Sequence, residues 1–200
     1  MALALKTEVH TYTHDEYLAL EEHADTKSEY FKGQIFAMSG GSVNHSRIAV
    51  NVMVELGNDL QTTPCEPFNS DLRIWIRAHD LFTYPDISVI CGNPDFYHTR
   101  TDTVTNPVVI FEVLSPSTQD YDRGQKFEFY RSIPSLRDYV IIHQEKIAVE
   151  HHHKVGLNRW LLTEYTDPDE TLLIESIDFA LPIRRIYARV SELADGASVS

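Results

Sequence analysis

The chain predicts a mixed α/β fold. Two observations carry that expectation: Val43, Arg47, Ile48, Val52, Leu56 and Leu60 recur at helical spacing over residues 42 to 61, while Leu72-Arg73-Ile74-Trp75-Ile76-Arg77 alternates with strand period. A third is the pair of apolar runs at 86 to 91 and 107 to 114, punctuated by turn residues as buried strands are. Helix, strands, helix, strand is the order of a mixed α/β domain.

The elements follow in sequence. Thr13-His14-Asp15-Glu16 has the Thr-x-x-Glu form of a capping box, and Tyr17, Leu18, Leu20 and His23 continue a short helix ending near Asp25. Residues 29 to 38 read as a hairpin turning at Lys32-Gly33, and Ser39-Gly40-Gly41-Ser42 as a loop and helix start. Past Pro64 and Pro67 the strands at 72–77, 86–91 and 107–114 are expected to form one sheet core in succession. A helix from about 120 to 132, stopped by Pro134, precedes a strand at 138–142. The stretch from 145 to 181 reads as further strands with turns at 156–158 and 167–169. Pro182 opens a last amphipathic helix through Ile183, Ile186 and Val190. No Pro/Gly/Ser linker divides the 200 residues, so a single domain spanning 1–200 is expected, with flexible ends at 1–10 and 195–200.

Composition narrows the class. Hydrophobic residues at 42% and charged residues at 24% suit a soluble globular protein, and no apolar stretch approaches the roughly 20 residues of a membrane span. Met1 to Lys6 is too short for a secretory signal, which points to the cytoplasm. Cys65 and Cys91 show no metal-ligand spacing and no disulfide framework, so reduced thiols are expected. The formal charge of −13 opposes a broad basic surface for duplex DNA. That objection weakens if acids gather at a metal, because a bound cation inverts the local field.

Chemistry concentrates on two carboxylates. Glu112 lies within the apolar run Val108–Leu114, where an ionised carboxylate costs several kcal/mol unless a positive partner meets it. Pro85-Asp86 opens the preceding strand, from which Asp86 can project toward Glu112 and share a hard divalent cation. Lys126 stands one helical turn from Asp122 and can reach back toward the acids, to position a water or offset charge on a phosphoryl group. The plain alternative for Glu112 is a structural ion pair with Arg73, Arg77 or Lys126. Such pairs seldom improve on apolar packing, which places the site reading ahead.

These residues carry a family resemblance. Pro85-Asp86, Glu112-Val113-Leu114, Ser115-Pro116-Ser117-Thr118 and Asp122-Arg123-Gly124-Gln125-Lys126 resemble the Uma2 (DUF820) family, assigned to the PD-(D/E)XK nuclease superfamily. The likeness extends to Glu29-Tyr30, Gly33, Met38-Ser39-Gly40, His45 and Asp138-Tyr139, covering most of residues 13 to 145. It implies a restriction-endonuclease-like core, a central mixed β-sheet flanked by helices, here with extra C-terminal strands. It also implies an endonuclease that cleaves nucleic acid, with DNA the expected partner, and Mg²⁺ or Mn²⁺ held by Asp86 and Glu112. Glu29 would complete the site as an acid from the N-terminal region, and His45, Asp71 and Asp122 would be pocket residues. The superfamily pattern places Lys two residues after the acid. That position is Leu114, leaving Lys126 as the substitute.

Weaker signals read more plainly. His151-His152-His153 cannot all converge on one ion from a regular strand, because neighbours point to opposite faces, so a solvated hairpin is expected there. Ser115 to Thr118 lacks a nucleophile-elbow pattern and reads as a loop and N-cap. Two other functions fit the same residues: a degenerate nuclease fold serving as a binding or assembly module, and a hydrolase of a non-nucleic phosphoester. A homodimer suits cleavage of both duplex strands.

Overall fold

The computed structural model describes residues 10–115, 122–191 and 193. Apart from His10, the expected flexible ends at 1–10 and 195–200 lie outside the described residues, as does the Pro116–Thr118 stretch.

A six-stranded mixed sheet forms the centre. Its strands, in spatial order, are β11 (Arg159–Tyr165), β10 (Val149–Gly156), β9 (Asp138–His143), β8 (Val109–Leu114), β6 (Ile87–Cys91) and β3 (Cys65–Asn69), and only β8 and β9 run parallel. A five-stranded sheet stands beside it, ordered β2 (Gln34–Ala37), β1 (Ser28–Phe31), β5 (Leu81–Thr83), β4 (Arg73–Ile76) and β7 (Thr103–Val104). β12 (Thr171–Ile174) and β13 (Phe179–Pro182) make a separate hairpin. The expected succession of 72–77, 86–91 and 107–114 in one sheet is therefore corrected. β4 belongs to the second sheet, and β6 and β8 pair directly.

Local chemistry sets the element ends. α1 (His14–Glu21) begins on the capping box, with Thr13 and Glu16 each satisfying the other's backbone N–H, and it ends four residues short of Asp25. The β1–β2 hairpin turns through Lys32 and Gly33, both at positive φ (48° and 86°), the combination that two-residue hairpins require. α2 (Val43–Asp59) is capped by Ser42, whose hydroxyl accepts from the N–H of His45. The helix anticipated from 120 to 132 is a π-helical turn, Asp122–Lys126, running into a short α-helix, Phe127–Tyr130. The last helix stops at Ile186, well before Val190.

The two faces of the central sheet bury separate cores. Val109, Phe111 and Val113 of β8 join Ile48, Val52 and Leu56 of α2 and the β12–β13 hairpin. Ile110 and Leu114 face the opposite side, against Ile74, Phe129, Tyr130 and Tyr139. Glu112 shares that second face by strand period. A third cluster, Tyr17, Tyr30, Trp75 and Phe82, fixes α1 to the smaller sheet.

Cys65 and Cys91 are joined in a disulfide, correcting the expectation of reduced thiols. The two residues stand directly opposite on β3 and β6. β3 was not foreseen because Pro64 and Pro67 break the pattern. It lies at the sheet edge, where a missing N–H is tolerated.

Candidate active site

Adjacent strand registers bring the acids together. The β6–β8 ladder pairs Ile87 with Phe111, so Asp86, one step before β6, stands opposite Glu112 on the continued register. The backbone N–H of Val113 donates to Asp86 Oδ2 at 2.8 Å, holding the carboxylate at the strand end. In the second sheet β1 pairs Tyr30 with Phe82, which sets Glu29 opposite Thr83, and the Thr83 hydroxyl donates to Glu29 Oε1 at 2.5 Å.

Lys126 links these elements. Its Nζ lies 2.9 Å from Glu112 Oε1 and 3.9 Å from Glu29 Oε1. Both partners of the closer pair are buried, Glu112 being 3% and Lys126 7% exposed. The Tyr130 hydroxyl donates to the same Glu112 oxygen at 2.9 Å. Burial first, and then the Glu112 charge, push the Tyr130 hydroxyl well above its ordinary pKa, so it stays a donor. The π-helical turn presents Lys126 inward, and such turns recur at functional sites. Of the three cations weighed against Glu112 in the sequence, Lys126 is the one that meets it. Arg73 instead donates to Tyr84 and Thr103.

His45 approaches from the first turn of α2, with Nε2 3.2 Å from Asp86 Oδ2. Gly41 makes room for its ring, since a Cβ there would come within 2.7 Å of His45 Nδ1. Glu29, Asp86, Glu112, Lys126 and His45 all line one cleft of about 1040 Å³. Asp71 does not. It lies in the turn after β3, with its side chain 75% exposed and bound to Lys27 at 2.6 Å. That hydrogen bond and charge hold its pKa below the ordinary carboxylate value. Lys27 itself lines the cleft, as do Ser39 and Gly40, and sequence reading had singled out no role for this lysine. Asp122 opens the π-helical turn, and its side chain lies outside the described residues.

The donor set suits a hard cation. Glu29 and Glu112 face the Lys126 ammonium and Asp86 faces His45 in the same cleft, and all-oxygen ligands favour Mg²⁺, Ca²⁺ or Mn²⁺ over softer ions.

The family model of Uma2, described as "Putative restriction endonuclease", matches residues 14–184. The chain is 44% identical over 149 residues to the uncharacterized protein sll1609 of Synechocystis sp. (strain ATCC 27184 / PCC 6803 / Kazusa), covering 74% of this chain and 84% of that protein. It is 41% identical over 173 residues to slr1290 of the same organism, also uncharacterized, covering 86% and 90%. Its fold matches the crystal structure of "a putative nuclease belonging to DUF820" from Anabaena variabilis. The TM-score is 0.71 at 19% identity, over 86% of this chain and 96% of that one.

The fold is thus the mixed α/β fold of that DUF820 protein, here with an acidic cleft. The chain belongs to the Uma2 family.

Proposed function

We propose that this protein is a metal-dependent endonuclease that hydrolyses phosphodiester bonds of DNA, with Mg²⁺ or Mn²⁺ held by Asp86 and Glu112 and the set completed by Glu29. The observation that carries the reading is the gathering of three carboxylates from two sheets in one cleft, Glu112 and Glu29 on the buried Lys126 ammonium and Asp86 beside them against His45. When bound, the ion supplies Lewis-acid polarisation and a water of lowered pKa. Lys126, donating to Glu112 in the absence of substrate, is within reach to orient a water or to offset charge growing on phosphorus. His45 beside Asp86 positions that carboxylate. A cleft of about 1040 Å³ stands at the upper end of small-molecule pockets and accommodates a polymer backbone. Cutting both duplex strands calls for two such sites, which a homodimer supplies.

The test is cleavage of single-stranded, duplex and branched DNA, and of RNA, by purified protein with Mg²⁺ or Mn²⁺. Asp86→Asn and Glu112→Gln are each expected to abolish cleavage while retaining the fold. Metal-dependent cleavage unchanged in both variants would overturn the proposal.

One observation favours a second reading, a nuclease fold kept as a binding module. Leu114 is buried where the superfamily lysine belongs, and Lys126 is engaged in a close ion pair with Glu112. Absence of cleavage on every substrate by folded protein would select it.

A further inference from the structure

The histidine run on β10 does not form a solvated surface. His151 is buried and His153 half-buried, and strand period sends both to the face opposite Glu112, toward α2 and the β12–β13 hairpin. Asp138, the first residue of β9, pairs directly with His153 in the ladder. Its carboxylate is fully buried, and Oδ1 lies 2.7 Å from both His151 Nε2 and His153 Nδ1. Ser176, from the helical turn Glu175–Ile177, donates to the other oxygen. One ligand atom from each of Asp138, His151 and His153 lies within 4.8 Å of the others. Three consecutive histidines cannot share an ion, yet the first and third can, with an acid from the neighbouring strand.

We propose that Asp138, His151 and His153 form a second cation site, for Zn²⁺ or an ion of similar preference, separate from the Asp86–Glu112 cleft.

Four features carry the assignment. Two imidazoles and one carboxylate make a donor set that suits zinc and disfavours Mg²⁺, which prefers oxygen. The buried Asp138 carboxylate has no lysine or arginine in ion-pair range among the described residues. Its two oxygens instead meet His151, His153 and Ser176, each within hydrogen-bond range. The Ser176 hydroxyl fixes the carboxylate from behind, as outer partners of metal ligands do. The partial exposure of His153 leaves a side from which an ion and a fourth ligand, water, can enter. Binding would require each imidazole to turn a lone pair toward the ion at the nitrogen that now meets Asp138, a change of tautomer in a neutral ring. The ion would tie β9 and β10 to the segment joining β12 and β13. Its role is structural, and it does not depend on the nuclease reading.

The experiment is calorimetric titration of Zn²⁺ into tag-free, chelator-treated full chain carrying Glu112→Gln, which removes the other acid cluster's central ligand. One equivalent is expected to bind. Affinity should fall by at least ~100-fold in an added His153→Ala, by about tenfold in Ser176→Ala, and not at all in His152→Ala, whose ring faces the other side of the sheet. Histidine ring NMR of the wild type provides a readout free of mutation, with Zn²⁺ moving the resonances of His151 and His153 and sparing His152. No stoichiometric binding, equal affinity in the folded His153→Ala protein, or perturbation of other histidines in place of these two would overturn the site.

Discussion

Replacing Lys126 with Met tests the electrostatic logic of the cleft directly. The stem and its packing are retained, while the ammonium 2.9 Å from Glu112 is removed. At an effective dielectric of 20, two unit charges at that distance attract by about 6 kcal/mol. Desolvating each ion opposes this by several kcal/mol, so the intact pair is worth little beyond apolar packing. Breaking it is another matter, because Glu112 would stay 3% exposed with the ammonium gone and Tyr130 as a neutral donor, and must then either hold a buried charge or take up a proton. A loss of about 3–5 kcal/mol is expected, which for a chain of this size lowers Tm by roughly 6–20 °C. Urea unfolding followed by circular dichroism measures it. Adding Glu112→Gln to Lys126→Met removes the stranded charge and should recover about 3 kcal/mol relative to the summed single losses. Saturating Mn²⁺ should also rescue the single variant, by about 2.7 kcal/mol at one hundred times Kd. A destabilisation below about 1 kcal/mol, or strict additivity in the double variant, would refute the claim that Lys126 neutralises a buried acid.

Two further outcomes follow from other parts of the fold. Reducing the Cys65–Cys91 bridge, whose residues are 26 apart in sequence, should destabilise the protein by about 3.5 kcal/mol from the restored freedom of the unfolded chain, read as a lower urea midpoint in the presence of reductant. Arg100 donates to both oxygens of Asp102 and holds its pKa at about 2, below the ordinary 3.8. The resulting stabilisation is fully present above 3.8 and is lost as pH falls toward 2. With Asp102 partly exposed, it amounts to about 1 kcal/mol after screening, so the deficit of Arg100→Ala in urea titrations should be largest at pH 6 and shrink toward pH 3.

The parts legible in the sequence were those governed by local rules. The Thr13–Glu16 box, the Lys32-Gly33 turn and the apolar stripe of α2 each depend on neighbours within a few residues. Glu112 was legible for a different reason: an acid in an apolar strand demands a partner wherever it folds. What stayed hidden depends on pairings across sheets. Leu81–Thr83 and Thr103–Val104 are too short to show a period, so the second sheet could not be read. Asp71 was expected in the pocket, but its N–H bonds to Asn69 in a turn that carries it to the rim. The strand alternation at 151–153 ruled out three converging histidines, yet the same alternation joins two of them to Asp138 across the β9–β10 ladder, a register that the sequence does not display.

The charge balance that seemed to oppose an anionic substrate also bears on how the cleft would work. With a formal charge of −13, the chain has no general attraction for phosphate, and in the cleft the carboxylates of Glu29, Asp86 and Glu112 outnumber the two lysines, Lys27 and Lys126. A phosphodiester approaching that cleft in the absence of a divalent ion meets like charge in a partly desolvated space, where repulsion is stronger than in water. The same acids become an attraction once a divalent ion sits among them, since the ion becomes the largest local charge. On the proposed function, cation binding therefore comes before substrate binding. On the same reading Lys126 would have two duties: without an ion it makes a buried Glu112 tolerable, and were Asp86 and Glu112 to hold an ion, its ammonium would be left to offset charge on phosphate. A lysine on the helix after β8, rather than two residues past Glu112 on the same strand, can make that shift by a side-chain rotation without disturbing the sheet.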